Sequence, residues 1–314
     1  MKHILVTGAN GQLGSKIQEK IIQGNYKNPI EERPKWHFLS RDEFDLTDSC
    51  SMEAAIKKYH PDIIVNCAAY TDVNKAETDE LSAFEVNAYG PRKLAELCKE
   101  NNIFLIHIST DFVFSGSDLN KPIKEDTFSV NHKLSPLNVY GNSKYLGEFY
   151  VEISGCKYII IRTSWLYGDG AENKNFVNTI VDKLISPQNC SDISVVISEV
   201  GSPTYTGDLA DFIILITNFD YENSQGIYHY CNHGVISRYD FAKAIQEILQ
   251  DLDIIDNSKN VVPSLEFDKK VRRPAYSVLD NTKAIDKFCV SIPYWRDSLA
   301  EAMILLLRNK GIIQ

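Results

Sequence analysis

The feature that most limits the fold is a glycine-rich turn near the amino terminus. His3–Thr7 is a short apolar run typical of a β-strand, and three glycines follow it as Gly8-x-x-Gly11-x-x-Gly14. Apolar residues at helical spacing then continue to Gly24. Strand, glycine turn and helix in this order are the context of a dinucleotide-binding fingerprint, in which the helix N-terminus faces the pyrophosphate. An ordinary surface loop is the alternative, and the flanking strand and helix disfavour it.

The rest of the first half of the chain alternates between strand and helix patterns. Short apolar runs at residues 36–39, 63–69, 103–108 and 158–161 predict strands. Helical patterns separate them at residues 48–56, 82–100 and 137–154. This alternation predicts the α/β class, with a Rossmann-type doubly wound parallel sheet. Ligands bind such sheets at the carboxyl ends of the strands.

The pattern becomes less regular after Gly168, and this change indicates two domains. The chain has 314 residues, enough for one large or two smaller domains. We predict a dinucleotide-binding domain at residues 1–168, rejoined by about 205–235. Residues 169–314 are then a smaller, mixed α/β substrate-binding domain that is not contiguous.

Composition narrows the function classes. A net charge of −9 disfavours binding to nucleic acid or to a membrane surface, because both require a basic face. No apolar run reaches the roughly 18 residues of a membrane span. Seven scattered cysteines without a Cys-x-x-Cys pair indicate reduced thiols and a cytoplasmic protein. His229 and His233 have no acidic residue between them, so we expect a strand end and loop there and predict no metal site.

A tyrosine and a lysine four residues apart form the candidate catalytic pair. Tyr140 and Lys144 lie on one face of a predicted helix. The reference pKa of tyrosine is about 10, so moving it to neutrality takes about 4 kcal/mol. An ammonium about 4 Å away in a partly buried site supplies an energy of that order. We therefore expect Lys144 to lower the pKa of Tyr140 toward physiological pH. Taken alone, the spacing also fits two ordinary surface residues.

Several motifs together resemble those of the extended short-chain dehydrogenase/reductases. They are the glycine turn, Asn66-Cys67-Ala68-Ala69, Ser109-Thr110-Asp111 and Tyr140-x-x-x-Lys144. More narrowly, the chain resembles the dTDP-4-dehydrorhamnose reductase family over nearly its whole length. This resemblance is carried by segments 69–77, 136–141 and 295–297 and by Arg162-Thr163-Ser164-Trp165, Gly201-Ser202-Pro203-Thr204 and Arg273-Pro274-Ala275-Tyr276-Ser277.

The resemblance implies an NAD(P)H-dependent reductase of the C4 keto group of a nucleotide-linked 6-deoxy-4-ketohexose. The leading reaction converts dTDP-4-dehydro-L-rhamnose to dTDP-L-rhamnose for cell-wall polysaccharide. Tyr140 would protonate the emerging alkoxide, Lys144 would bind the nicotinamide ribose, and Thr110 would hydrogen-bond the carbonyl oxygen. The implied substrate-binding residues are Thr110, Asp111, Trp165, Asn175 and Arg273. The implied cofactor-binding residues are Gly8, Asn10, Gly11, Gln12, Leu13, Gly14, Arg41, Asp45, Leu46, Ala68, Ala69, Tyr70, Tyr140 and Lys144.

The cofactor preference depends on the end of the second predicted strand. An arginine there accommodates the 2′-phosphate of NADPH, whereas an acid favours NADH. Arg41 favours NADPH, whereas Asp42 beside it would favour NADH, so both cofactors stay candidates. Either residue also fits a solvated loop charge.

Several alternatives stay open at this point. The same residues fit a reductase or epimerase of another nucleotide sugar, or a non-catalytic regulator resembling the β-subunit of methionine adenosyltransferase. The cationic cluster at residues 269–273 fits either a diphosphate site or a solvated charge run. Segments 24–35 and 130–134 are longer than the family pattern, and a longer loop near Tyr140 could change which sugar fits. A homodimer is also left open.

Overall fold

A parallel sheet of six strands organises the described part of the chain. In this computed structural model the described residues are 1–24, 33–116, 121–125, 135–186, 192–219, 223–256, 258–265 and 271–314. The predicted long segment 130–134, most of 24–35 and part of the cationic cluster lie outside them.

The first half of the chain alternates strands and helices as predicted. Its elements are β1 (His3–Thr7), α1 (Gln12–Gln23), β2 (Lys35–Leu39), α2 (Ser49–Tyr59), β3 (Ile63–Asn66), α3 (Val73–Ala76), α4 (Glu80–Phe84), a π-helical turn (Glu85–Tyr89), α5 (Gly90–Glu100), β4 (Phe104–Thr110), a 3₁₀ turn (Asp111–Val113), α6 (Val139–Ile153) and β5 (Tyr158–Thr163).

The second half contains shorter strands between helices. Its elements are β6 (Leu166–Tyr167), α7 (Phe176–Ile185), β7 (Ile193–Val196), β8 (Val200–Gly201), β9 (Thr204–Tyr205), α8 (Thr206–Ile216), β10 (Gly226–His229), β11 (Ile236–Ser237), α9 (Arg238–Asp251), β12 (Val261–Ser264), β13 (Tyr276–Ser277), α10 (Thr282–Phe288) and α11 (Trp295–Asn309).

The strand order of the sheet creates the crevice that holds the candidate site. The order is β2-β1-β3-β4-β5-β10, so the winding of the chain reverses between β1 and β3. Ligands bind doubly wound sheets beside the carboxyl ends of the strands at such a switch point. The predicted α/β class and Rossmann-type sheet are therefore confirmed. The two-domain division stays a prediction.

Both faces of the sheet are covered, which explains why its strands are almost continuously apolar. Ile4, Val6 and Ile106 belong to a core shared with α1, α8 and α10. The alternate positions Leu5 and Leu105 belong to a second core with α2, α5 and α6. A separate core joins α7, α9 and α11.

Among the element boundaries that differ from the prediction, two bear on the cleft. The predicted strand 63–69 leaves the sheet at Asn66, so residues 67–69 form a loop. The predicted helix 82–100 begins at Glu80 and contains a π-helical turn. In an α-helix the backbone N–H of residue 91 would donate to the carbonyl of Asn87, but Pro91 has no N–H. A π-helical turn before Pro91 is one backbone arrangement that does not need this hydrogen bond.

A buried ion pair connects helix α6 to strand β5. Arg162 donates to Glu148 through Nε at 3.0 and 3.1 Å and through a terminal nitrogen at 2.6 Å. Both side chains are 1% exposed. Removing one partner of such a pair costs about 3–5 kcal/mol, because it leaves an uncompensated buried charge. The pair therefore helps to fix the helix that carries Tyr140 and Lys144.

None of the helices in the described ranges is long and apolar enough to cross a membrane. The same ranges contain no group of three or more His, Cys, Asp or Glu side chains suited to a metal ion. His229 ends β10, and its buried ring bonds to the backbone oxygen of Ile123 at 3.0 Å.

Candidate active site

A cleft of about 750 Å³ opens at the carboxyl ends of β1, β3, β4 and β5. Its volume lies within the range of small-molecule and cofactor sites. Most of the predicted cofactor-binding residues line it, namely Gly8, Asn10, Gly11, Gln12, Leu13, Arg41, Asp45, Leu46, Ala68, Ala69, Tyr70, Tyr140 and Lys144. The predicted substrate-side residues Thr110, Asp111, Trp165 and Asn175 line it as well. Gly14 and Arg273 do not.

The glycine turn shapes one wall of the cleft by close backbone approach. Gly8 has a φ of +65°, and a Cβ there would lie 2.8 Å from the backbone nitrogen of Ala68. A Cβ on Gly14 would lie 2.3 Å from the Gly8 oxygen, so Gly14 packs α1 against the turn behind the cleft. Substitution at either position would move backbone. The strand, turn and helix thus meet as the fingerprint requires.

The amino terminus of α1 provides a suitable place for phosphate groups. Gly11 is its N-cap, no side-chain hydrogen bond caps it, and its first turn carries no acidic residue. Exposed N–H groups and the positive end of the helix dipole both favour an anion there. A dinucleotide therefore fits the residues present.

Arg41 and Asp45 lie together in the cleft lining, where the sequence predicts the adenosine of the cofactor. Arg41 donates through Nε to Asp45 at 3.1 Å, and the arginine side chain is 74% exposed. Its exposed guanidinium is compatible with a 2′-phosphate. Asp45 also accepts from the backbone and hydroxyl of Thr47, both at 2.8 Å. This second set of bonds fixes the carboxylate independently of Arg41.

Asn87 supports the wall of the cleft opposite the glycine turn, and the sequence analysis missed it. Its amide accepts from the backbone of Tyr70 and donates to the same residue, both at 2.9 Å. It also donates to the hydroxyl of Ser143 on α6 at 3.0 Å. The π-helical turn places Asn87 there, and no local sequence pattern signals that role.

Thr110 ends strand β4 at the cleft, and Asp111 begins the 3₁₀ turn that follows it. The Thr110 hydroxyl donates to Oδ1 of Asp111 at 3.0 Å and accepts from the backbone of Phe112 at 3.3 Å. Asp111 is 2% exposed, and its other oxygen, Oδ2, has no hydrogen-bond partner among the described residues. Burial raises the pKa of Asp111 to about 6, while Ser277, Thr110 and Arg238 act in the opposite direction.

The structure corrects the predicted effect of Lys144 on Tyr140. Burial raises the pKa of Tyr140 to about 12; hydrogen bonding with Thr110 acts against this shift, and the charge of Asp111 adds to it. Lys144 does not hydrogen-bond the phenol but donates to the backbone oxygen of Ile108 at 2.7 Å. The prediction of a Tyr140 pKa lowered toward neutrality is therefore wrong for this structure, because burial raises that pKa and Lys144 is not among the groups that act on it.

Burial acts on Lys144 in the opposite direction. It lowers the pKa of Lys144 to about 8, while the charges of Glu148 and Cys67 act against this change. At neutral pH the cleft therefore contains a protonated phenol and a lysine that is mostly protonated. A phenol that keeps its proton can deliver it to a strongly basic alkoxide. The buried ammonium provides positive charge where negative charge would develop.

The remaining predicted substrate-side residues have different surroundings. Trp165 lines the cleft with a φ of +47°, a conformation that is rare for a bulky residue. Asn175 caps helix α7 by accepting from Asn178 at 2.9 Å, and it donates to Gln12 at 2.9 Å. Arg273 lies outside the cleft lining and donates weakly to Asn74 at 3.4 Å. Each role stays a prediction.

Other cleft residues were not predicted as site residues, although some of them stand in the motifs quoted above. They are Phe44, Cys67, Thr71, Val73, Val86, Ile108, Ser109, Phe112, Thr163, Leu166, Glu172, Asn173, Lys174 and Arg238. Arg238 is the most informative of them, because it carries a charge beside Trp165 and Asp111. It is the first residue of α9, and only the tertiary fold brings it to the cleft.

Comparisons with known proteins agree with this geometry. Residues 1–307 match the family model described as the RmlD substrate binding domain. The spore coat polysaccharide biosynthesis protein SpsK of Bacillus subtilis is 35% identical over 301 residues, 96% of each chain. The dTDP-4-dehydrorhamnose reductase of Aggregatibacter actinomycetemcomitans is 33% identical over 310 residues, 95% of this chain and 97% of the relative. The crystal structure of dTDP-4-dehydrorhamnose reductase from Bacillus anthracis in complex with NADP has a TM-score of 0.81 at 33% identity, covering 97% of this chain and 99% of that one.

The lowered pKa of Lys144 predicts how stability depends on pH. The Lys144 pKa is about 8 in the folded chain and has its ordinary value of 10.5 in the unfolded chain. Between pH 8 and pH 10.5 the Lys144 amine is therefore protonated in the unfolded chain and neutral in the folded chain. The free energy of unfolding therefore gains a contribution as pH rises through this interval. Lys144→Met lacks the contribution, so the stability of the wild type relative to the variant should increase between pH 7 and about pH 9.5. Urea unfolding of both proteins at the two pH values measures this, and a pH-independent difference would contradict it.

Proposed function

Because the chain belongs to the family described as the RmlD substrate binding domain, we propose that it is an NADPH-dependent sugar-nucleotide 4-ketoreductase. It reduces the C4 keto group of dTDP-4-dehydro-L-rhamnose and yields dTDP-L-rhamnose, and NADH is an alternative cofactor. The observation that carries the proposal is that Thr110, Tyr140 and Lys144 line the same cleft as the glycine turn. Relatives of nearly equal length are named as reductases of this substrate.

The reaction adds a hydride to C4 and a proton to its oxygen. Bound NADPH supplies the hydride. The O–H bond of Tyr140 breaks as its proton moves to the sugar oxygen, so the carbonyl becomes a secondary alcohol. The Thr110 hydroxyl, which donates to Asp111 in the absence of substrate, turns its one donor to the same oxygen when the sugar binds and orients the carbonyl. Burial in the cleft keeps Tyr140 protonated until that step.

Lys144 has a binding role and an electrostatic role. Its ammonium binds the nicotinamide ribose and remains positive beside the phenolate that the proton transfer leaves. Preorganised charge in a water-poor site stabilises such a developing anion more strongly than water does. The bond from Lys144 to the Ile108 oxygen holds the ammonium in the cleft before the reaction.

The remaining residues divide between cofactor and substrate. Residues 1–168, with about 205–235, form the dinucleotide-binding domain, and the rest of 169–314 forms the substrate-binding domain. Asp111, Trp165 and Asn175 act on the sugar side, and Arg273 acts on the diphosphate. Arg273 has a buried Nε without a hydrogen-bond partner in the described ranges, which supports an anionic ligand.

The site of action and the assembly also belong to the proposal. We place the enzyme in the cytoplasm, and the six cysteines that the structure describes are free thiols, as a reducing compartment favours. A homodimer is supported by four exposed apolar side chains on elements that contact one another, α4, the π-helical turn and α6; they are Leu81, Tyr89, Phe149 and Ile153, which are 42–81% exposed. Contiguous exposed apolar surface is typical of interaction sites, and a two-fold dimer pairs identical surfaces.

The reaction is tested with a panel of nucleotide-linked 4-keto-6-deoxy sugars and NADPH. The wild type should oxidise NADPH fastest with dTDP-4-dehydro-L-rhamnose, and Tyr140→Phe should lower kcat by about 10²- to 10⁴-fold, the usual contribution of a general acid. NADPH binding, followed by fluorescence, should stay nearly unchanged. Tyr150→Phe, on the same helix but outside the cleft lining, is the matched control. Wild-type binding of NADPH without turnover on any sugar would instead favour a regulatory protein.

The cofactor preference is tested at Arg41. Arg41→Ala removes the guanidinium proposed to bind the 2′-phosphate, so the KM for NADPH should rise about tenfold, as for one charge-assisted hydrogen bond. The KM for NADH should change little, because NADH has no 2′-phosphate. Equal increases in both constants would exclude Arg41 as the group that distinguishes the cofactors.

The dimer is tested by sedimentation velocity. The wild type should sediment as a dimer, and Phe149→Glu should shift it toward monomer by placing a charge in the apolar surface. Leu265→Glu is the control, since Leu265 is 73% exposed and lies outside that surface. A monomeric wild type would refute the dimer, and an unaltered Phe149→Glu dimer would refute this interface.

A further inference from the structure

We propose that Arg238 is a specificity-determining residue at the sugar end of the cleft, where it donates hydrogen bonds to hydroxyl groups of the hexose next to those bound by Asp111. The proposal rests on the proposed function and adds to it the residue that distinguishes one sugar from another. It also defines the ligand chemistry at this end as neighbouring hydroxyl groups.

Arg238 is held rigidly in the cleft by its neighbours. Its guanidinium carbon lies 3.7 Å from the centroid of the Trp165 ring and 5.0 Å from that of Phe176. Its Nε donates to Glu199 at 3.4 Å, and its backbone N–H donates to the Glu199 backbone oxygen at 3.1 Å. A guanidinium fixed by stacking and by one carboxylate loses little further freedom when it binds a ligand.

The terminal nitrogens of Arg238 are available to a ligand. Only Nε of its side chain donates to an acceptor among the described residues. The side chain lines the cleft, so the terminal N–H groups can reach a molecule bound there. Burial lowers the pKa of Arg238 to about 10, and the charges of Glu199 and Asp111 act against that change. The group therefore remains a cation and a pure donor at neutral pH.

Asp111 supplies the complementary acceptor. Arg238 and Asp111 attract each other, yet no ion pair within 4.0 Å joins them in the described chain. Oδ2 of Asp111 is buried and makes no hydrogen bond of good geometry there; the hydroxyl of Ser277 lies near enough to lower the pKa of the carboxyl, and it is itself buried without a partner. A buried carboxylate oxygen without a partner is costly unless a ligand satisfies it. A donor and an acceptor that face one cleft without bonding to each other leave room for a group that bonds to both.

Sugar hydroxyls have the chemistry that this pair requires. Each hydroxyl can donate to a carboxylate and accept from a guanidinium, so two neighbouring hydroxyls can satisfy Asp111 and Arg238 together. Trp165 adds an apolar wall for the C–H groups of the ring. The charge of Arg273 also acts on Arg238, so the diphosphate proposed to bind Arg273 lies near this position; at Arg238 itself the carboxylates of Glu199 and Asp111 would repel it.

The test measures kcat/KM for each variant on the full substrate and on substrates that lack one hydroxyl group. Wild type, Arg238→Met and Arg238→Lys are compared on the accepted 4-keto sugar nucleotide and on its analogues that lack the hydroxyl at C2 or at C3. Arg238→Met should lower kcat/KM on the full sugar by about ten- to a hundredfold, the effect of losing a hydrogen bond to a charged donor. At least one deoxy analogue should abolish the difference between wild type and Arg238→Met. Arg238→Lys, which keeps the charge, should recover part of the loss.

The controls separate this inference from the proposed function and from misfolding. Arg296→Met removes an exposed arginine paired with Glu247 and should leave kcat/KM unchanged. Unaltered NADPH binding by Arg238→Met shows that its dinucleotide site is intact. An Arg238→Met loss that is equal on all three sugars, or no loss at all, would overturn the sugar-reading role. Failure of the wild type to reduce any 4-keto sugar would instead overturn the proposed function.

Discussion

The removal of water from the carboxyl ends of the central strands is the constraint on which the candidate site depends. In that cleft the same burial raises the pKa of Tyr140 to about 12 and lowers that of Lys144 to about 8. Both shifts favour the neutral form of the side chain. The phenol therefore keeps the proton that the proposed mechanism requires it to donate, and the ammonium is held by the carbonyl of Ile108 rather than by the tyrosine. Catalysis then requires an acid that releases its proton only when a strongly basic oxygen forms in front of it.

An acidic chain with a net charge of −9 binds an anionic cofactor and substrate by concentrating a few cations around one cleft. Arg41, Lys144 and Arg238 all line it, and we have proposed that they contact the adenosine, the reaction centre and the sugar respectively. Two of them have carboxylate partners, Asp45 for Arg41 and Glu199 for Arg238. These partners orient the cations and weaken non-specific attraction to other anions. Recognition of the cofactor and the substrate then depends on the orientation of these cationic hydrogen-bond donors. The net charge of the chain contributes little to it.

The sequence predicted those features that depend on residues close together in the chain. The turn from Gly8 to Gly14 was recognisable because a tight turn and a close helix packing need glycine, and its flanking strand and helix could be read from periodicity. The roles of Asn87 and Arg238 could not be read in this way, since each depends on contacts with residues far away in the chain. The pKa of Tyr140 was predicted in the wrong direction for the same reason. Helical spacing places a lysine nearby, but it does not show how deeply the phenol is buried or which acceptor the ammonium selects.

The most direct test of this account is the titration of Tyr140 itself in the free enzyme. Protein containing tyrosine labelled with ¹³C at Cζ gives one resonance for each ring, and comparison with Tyr140→Phe assigns the resonance of interest. The account predicts that the Tyr140 resonance keeps the chemical shift of a protonated phenol from about pH 6 to about pH 10, because its pKa is raised above the ordinary value of about 10. A change to the phenolate shift near neutral pH would contradict it, and would show that Lys144 controls the phenol more strongly than burial does.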